Sequence, residues 1–122
     1  MGAERNSDGR RRAERRGRFS EYVAALYLLL KGYRIVALRH RTQLGEIDII
    51  ARKRDLVIFV EVKARRDERA TVDAVGHAAQ RRIRAASDLW LARQDEFGRL
   101  SQRYDIVAVR PGRLPRHFQD AF

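Results

Sequence analysis

Residues Gly45 to Arg65 read GEIDIIARKRDLVIFVEVKAR, two alternating strand patterns joined by a short polar turn. No other segment restricts the fold as much, because a strand sends residues i and i+2 to one face and the two runs must share an apolar side. With the turn centred on Arg54-Asp55, antiparallel pairing sets Ile49 against Val60, Ile47 against Val62 and Asp48 against Glu61. A slip of one residue would turn Asp48 and Glu61 toward the apolar face, so the hydrophobic pattern selects the same register as the turn. Glu61 and Lys63 then project together while Val60 and Val62 point the other way. Two carboxylates directly opposite one another repel, so a cation is expected between them.

Around this hairpin the chain predicts a mixed α/β order. Glu14 to Leu30 suits a buried helix stopped by Gly32, and Tyr33 to Arg41 suits a first strand. Arg66 to Gly76 reads as a polar connection. Ala78 to Asp95 recovers helical spacing through Ile83, Ala86, Leu89, Trp90 and Arg93, ending at Phe97-Gly98. Tyr104 to Val109 forms a fourth strand closed by Pro111-Gly112, and Leu114 to Phe118 adds a short fifth. A helix that must cross from the hairpin to the next strand implies that part of the sheet is parallel.

At 122 residues the chain is about the size of one domain, read here as 15–122, behind a disordered basic arm over 1–14. The absence of cysteine excludes disulfides, thiolate zinc sites and a cysteine nucleophile, and fits a reducing compartment, by default the cytoplasm. An arginine-rich leader before the apolar run Tyr22–Leu30 imitates a secretory signal. The run passes straight into Lys31-Gly32 without a small-residue cleavage site and is too short to span a bilayer, so no membrane role is expected.

Net charge is +11, carried mostly by arginine, whose planar fork suits phosphate. Residues 1–18 hold seven arginines against Glu4, Asp8 and Glu14, so much of the excess belongs to the folded body. A polyanion, nucleic acid above all, is the expected partner. A hard cation such as Mg²⁺ or Mn²⁺ needs only two or three carboxylates, a backbone carbonyl and water. Asp48, Glu61 and the Val62 carbonyl could supply that set, with Lys63 beside them to orient or deprotonate an attacking water. Glu21 is a third carboxylate on the apolar side of the first helix. Its partner could be the same metal, or Glu21 could lie at the first exposed turn, favoured there by the helix dipole. Glu46 is assigned to the opposite face from Asp48 or to the loop before the strand. His40, His77 and His117 are scattered without ligand spacing, Ser20 and Ser101 lack a His and Asp arrangement, and no Gly-rich phosphate loop is present.

Gly17-x-x-x-Glu21, Gly32-Tyr33, Gly45-Glu46-Ile47-Asp48, Phe59-Val60-Glu61-Val62-Lys63, Arg103-Tyr104-Asp105 and Asp120-Ala121-Phe122 together resemble the YraN family of small bacterial proteins, over nearly everything from Gly17 onward. That family is similar to Holliday junction resolvases and other PD-(D/E)XK nucleases. The resemblance implies a restriction-endonuclease-like three-layer α/β fold with a central mixed sheet flanked by helices. It also implies a Mg²⁺- or Mn²⁺-dependent endonuclease acting on structured or branched DNA in repair or recombination, with Asp48, Glu61 and Lys63 on the nuclease motif and Glu21 on the resolvases' helix glutamate. Paired symmetric cuts would suit a homodimer. The alternatives are a non-catalytic nucleic-acid-binding module of the same fold and an adaptor for an acidic protein. Two positions depart from the family pattern: Ser20 replaces a second glycine beside the glutamate, and Ala79 stands just before Gln80 where lysine is usual.

Overall fold

The computed structural model describes residues 17–64 and 75–122. The basic arm over 1–14, the start of the first helix at Glu14 and most of the connection after Arg66 lie outside the described residues. Helix α1 occupies 17–30 and is followed by strands β1 (Arg34–Arg41), β2 (Glu46–Lys53) and β3 (Leu56–Ala64). Helix α2 (His77–Ala92), a short 3-10 turn (Phe97–Arg99), β4 (Ser101–Val109) and β5 (Arg116–Phe118) complete the order. The sheet runs β1-β2-β3-β4-β5. β3 and β4 are parallel, from Leu56 beside Ser101 to Ala64 beside Val109, and the other neighbours are antiparallel. The crossover through α2 makes that parallel pair possible, as the helical spacing between hairpin and fourth strand required.

Among the described residues each face of the sheet carries one helix. Ala24, Ala25 and Leu28 of α1 pack with Ile49, Ala51, Ile58, Val60 and Val107. On the other side Ile83, Ala86 and Leu91 of α2 meet Ile50, Val57, Phe59, Tyr104 and Ile106. The alternation of β2 and β3 between two apolar clusters explains their nearly continuous hydrophobic runs: a sheet covered on both faces has no polar side. The architecture is α/β in three layers, as expected for a restriction-endonuclease-like fold.

Two glycines fix how the helices join the sheet. Gly32 sits at φ +96, its N–H donating to the Leu29 carbonyl and the Tyr33 N–H to that of Leu28, so the left-handed residue ends α1 and turns the chain into β1. Gly45 opens β2 where α2 comes closest. A Cβ there would lie 2.9 Å from the Arg82 carbonyl oxygen and 3.1 Å from the Arg82 Cβ, so only glycine lets strand and helix meet at this distance.

The hairpin turn takes Arg54-Asp55, with Arg54 at φ +57, and the ladder pairs Ile49 with Val60, Ile50 with Phe59 and Ala51 with Ile58. That is the register the apolar pattern selects. β1 is less regular. A bulge between Ile35 and Ala37 shifts its pairing, and Arg39 adopts φ +51 in mid-strand. A left-handed backbone in a non-glycine residue costs about 1–3 kcal/mol and persists only where the surroundings impose it.

Candidate active site

Asp48 and Glu61 arrive from neighbouring strands just past the last paired residues of the hairpin. The Val62 N–H donates to Asp48 Oδ2 at 2.9 Å, so a side chain accepts where a backbone carbonyl would otherwise do so. Both carboxylates line a cleft of about 280 Å³ between the sheet and α2, with Glu46, Ala79, Arg82 and Ile83 as its other walls. Lys63 reaches Glu61 from the same face, Nζ to Oε1 3.4 Å. Sequence pattern and structure thus bring Asp48, Glu61 and Lys63 together.

Electrostatics set this pair apart from an ordinary surface ion pair. Burial, followed by repulsion from Glu61, pushes the Asp48 carboxyl up to about 7, and the charges of Glu21 and Glu46 add to the effect. The Val62 N–H opposes the shift and does not cancel it. Glu61 is also raised, first by burial, with Lys63 as its main counterweight. Two partly buried acids with one lysine, held by Glu61, lack enough positive charge to ionise together. Such a pair gains from a divalent cation.

The donor set suits a hard cation: two carboxylates, the Val62 backbone beside them and space for water. Among the described residues no three His, Asp or Glu side chains gather closely enough to hold an ion by themselves. Glu21 accordingly stands apart. It pairs with Arg39 Nε in a neighbouring cleft formed with Arg18, Tyr22, Leu38 and Arg41. The partner that a half-buried glutamate requires is therefore an arginine, one whose own backbone sits at φ +51. Glu21 still acts on the site through its field, which raises both Asp48 and Glu61.

Glu46 corrects the sequence expectation. β2 already begins at Glu46, and the i, i+2 rule therefore puts its side chain on the Asp48 face rather than the opposite one. Ala79 proves to be a wall of the cleft, so the departure from lysine falls at the site itself. Arg82, one turn further along α2, is exposed at the same cleft and makes no ion pair among the described residues. Ser20 is buried on α1. Gln80 turns back to the segment before its helix, its amide donating to the Val75 carbonyl at 2.8 Å.

A second polar cluster escaped the sequence reading. Asp105, fully buried on β4, accepts a two-pronged bond from Arg103 (Nε to Oδ1 and Nη2 to Oδ2, both 2.8 Å), one from His117 Nε2 at 2.7 Å and one from the Asp120 N–H at 3.0 Å. Burial alone would raise this carboxyl, but these donors outweigh it and hold it at about 2. Lys31 Nζ lies 2.6 Å from His117 Nδ1, and an ammonium can only donate, so Nδ1 accepts and Nε2 carries the proton given to Asp105. Arg103 also donates to the Tyr33 hydroxyl at 3.0 Å. The cluster ties the end of α1, β4, β5 and the C-terminal segment together. One signal was available: Asp105 sits inside the apolar run YDIVAV two residues after Arg103, and a carboxylate facing inward needs such a partner.

Known proteins resemble the chain along nearly its whole length. The model described as "Uncharacterised protein family UPF0102" matches residues 20–109, a stretch that holds Glu21, Asp48, Glu61 and Lys63. A UPF0102 protein of Rhizobium johnstonii is 78% identical over 113 residues, 93% of each chain. One of Agrobacterium fabrum is 63% identical over 122 residues, the full length of both, and one of Mesorhizobium japonicum is 58% identical over 120 residues, 98% of this chain and 96% of its own. A match of this extent leaves no doubt about kinship, and the chain belongs to the UPF0102 family.

Proposed function

We propose that the protein is a Mg²⁺- or Mn²⁺-dependent endonuclease that hydrolyses DNA phosphodiester bonds, in branched or otherwise structured DNA during repair or recombination. The observation that carries this reading is the meeting of Asp48 and Glu61 in one open cleft, with Lys63 on Glu61, where the two acids lack compensating charge. Asp48 and Glu61, with the Val62 carbonyl, would hold the cation, and when bound it would polarise the scissile phosphate and stabilise the leaving oxygen. Lys63 holds or takes a proton of the attacking water. Arg82, which makes no ion pair among the described residues, meets a phosphate oxygen and so replaces the cation missing at Ala79. Glu21 positions this machinery through its field and its bond to Arg39. A chain of net charge +11 draws the polyanion to the cleft. The setting is the cytoplasm, and no helix among the described residues is long and apolar enough to cross a membrane. A homodimer would present two such sites for paired cuts.

A non-catalytic nucleic-acid-binding module is the second reading, favoured by Ala79 in the cleft wall and by the engagement of Glu21 with Arg39. Labelled four-way junction, flap, single-stranded and linear duplex DNA, incubated in Mg²⁺ or Mn²⁺ with the protein or with Asp48→Ala, separates the two. Cleavage by the native protein that the substitution abolishes supports the nuclease. Binding without cleavage by either protein, weakening with salt, gives the binding module.

A further inference from the structure

Helix α1 buries Ala24, Ala25 and Leu28 under the sheet, yet its outer face is not polar. Phe19, Tyr22, Leu26 and Leu29 follow one another at intervals of three, four and three residues, and Leu30 widens the line. Their exposures are 67%, 63%, 58%, 51% and 80%. A surface helix normally turns charged residues outward, so a second apolar stripe opposite the first is unpartnered. Strict three-four spacing is the narrow seam by which one helix packs on another, knobs into holes. The stripe continues onto the edge strand of the sheet, where Leu38 of β1 shares a cleft with Tyr22.

We infer that this face of α1 is where a second copy of the chain docks, forming a two-fold dimer through antiparallel pairing of the two α1 helices. Area supports that occupant. Large side chains offer on the order of 200 Å² each, so five of them at these exposures present roughly 600 Å² per chain and about 1,200 Å² per pair, the lower bound of a stable interface. A self-complementary patch is what two-fold symmetry requires, and an uncharged apolar line facing its own copy meets that condition. The five side chains of the stripe carry no charge, and Arg18, Arg39 and Arg41 lie in the cleft beside Tyr22 and Leu38, so phosphate would meet that cleft rather than the stripe. The stripe adjoins the cleft of Glu21 and Arg39, whereas the cleft of Asp48 and Glu61 opens between the sheet and α2, so the interface stands on the geometry of α1 and does not depend on the nuclease reading.

Sedimentation equilibrium of the full chain across the micromolar range tests the inference, with Leu26→Glu as the variant and far-UV circular dichroism as the check on folding. The native chain is expected to sediment as two copies and the folded variant as one, while Asp48→Ala remains a dimer whether or not the protein cleaves DNA. The chain has no cysteine, so Leu26→Cys provides a single thiol. A short thiol-to-thiol cross-linker should join two such chains, but not two chains carrying Gln102→Cys on β4. A native chain that sediments as a monomer throughout overturns the proposal, as does a Leu26→Glu chain that still dimerises. Flotation of a monomeric native chain with anionic vesicles, lost in Leu26→Glu, would assign the stripe to a lipid surface instead.

Discussion

Asp48→Asn removes one of two crowded buried charges while keeping an oxygen to accept the Val62 N–H, and its amide NH₂ can donate to Glu61. The carboxyl it replaces is pushed from 3.8 to about 7. At about 1.36 kcal/mol per unit, a lone group displaced this far would cost the folded state roughly 4 kcal/mol once fully ionised. Glu61 shares the strain and solvent screens part of it, so the expected gain at pH 8 is about 1–2 kcal/mol. For a chain of this size each kcal/mol moves the melting temperature by roughly 3–6 °C. In EDTA at pH 8 the variant should therefore melt about 5 °C above the native protein. Between about pH 4 and pH 7 the folded native chain holds a proton that the unfolded chain has released, so its stability falls as pH rises through that window, and the variant should show a shallower slope, the part that Glu61 contributes. Mn²⁺ reverses the order. At a hundred times its dissociation constant a ligand adds about 2.7 kcal/mol to the form that binds it, which only the native site should collect. Thermal unfolding followed by circular dichroism, in EDTA and in Mn²⁺, reads both effects. A variant less stable than the native protein in EDTA at pH 8 would refute the claim that Asp48 is held against its charge; equal Mn²⁺ stabilisation of both would refute the site.

Lys63→Met should abolish cleavage while leaving the Mn²⁺-induced rise in melting temperature, because the lysine handles the proton rather than the ion; loss of that rise would assign it to binding. Gly45→Ala puts a methyl 2.9 Å from a backbone oxygen of α2, and the forced separation should cost about 1–3 kcal/mol and weaken DNA binding at the widened cleft. An unchanged melting curve would mean that strand and helix do not meet there. Asp105→Asn strands the Arg103 guanidinium and should destabilise the chain by about 3–5 kcal/mol, measured by urea unfolding. The native Asp105 is held down at about 2, so the stability it contributes is present above pH 4 and is lost as pH falls toward 2. After allowance for solvent around the partly exposed Arg103 this amounts to about 1–2 kcal/mol, and an acid titration of Asp105→Asn should lack it.

The hairpin was legible because parity is unforgiving: with Ile49 and Val60 inward, Asp48 and Glu61 had no other face to take. The close of α1 was legible for a comparable reason, since Gly32 permits a backbone that few other residues adopt. Partners far apart in sequence were not. Nothing local says that Lys31 reaches His117 or that His117 reaches Asp105, because those contacts depend on β5 returning beside β4. The bulge in β1 and the left-handed Arg39 were equally hidden. Arg39 carries no local preference for φ +51, and its bond to Glu21 joins residues 18 apart in sequence.

Ala79 shows how a sequence departure changes meaning once placed. In the sequence it marks a missing lysine and so a weaker grip on substrate. On α2, however, residues three apart are neighbours on one face, and Arg82 stands three residues after Ala79 at the same cleft. The small side chain at Ala79 opens space along the wall while the longer arginine brings its charge in from the rim. This exchange keeps a cation at the site and moves it outward. Arg82→Ala should therefore weaken DNA binding in low salt and flatten its salt dependence by about one phosphate contact, with Mn²⁺ stabilisation unchanged. Ala79→Lys in the same background should restore the slope. If Arg82→Ala binds as tightly as the native chain, Arg82 does not take over the cation's role, and the departure at Ala79 would be a loss of grip after all.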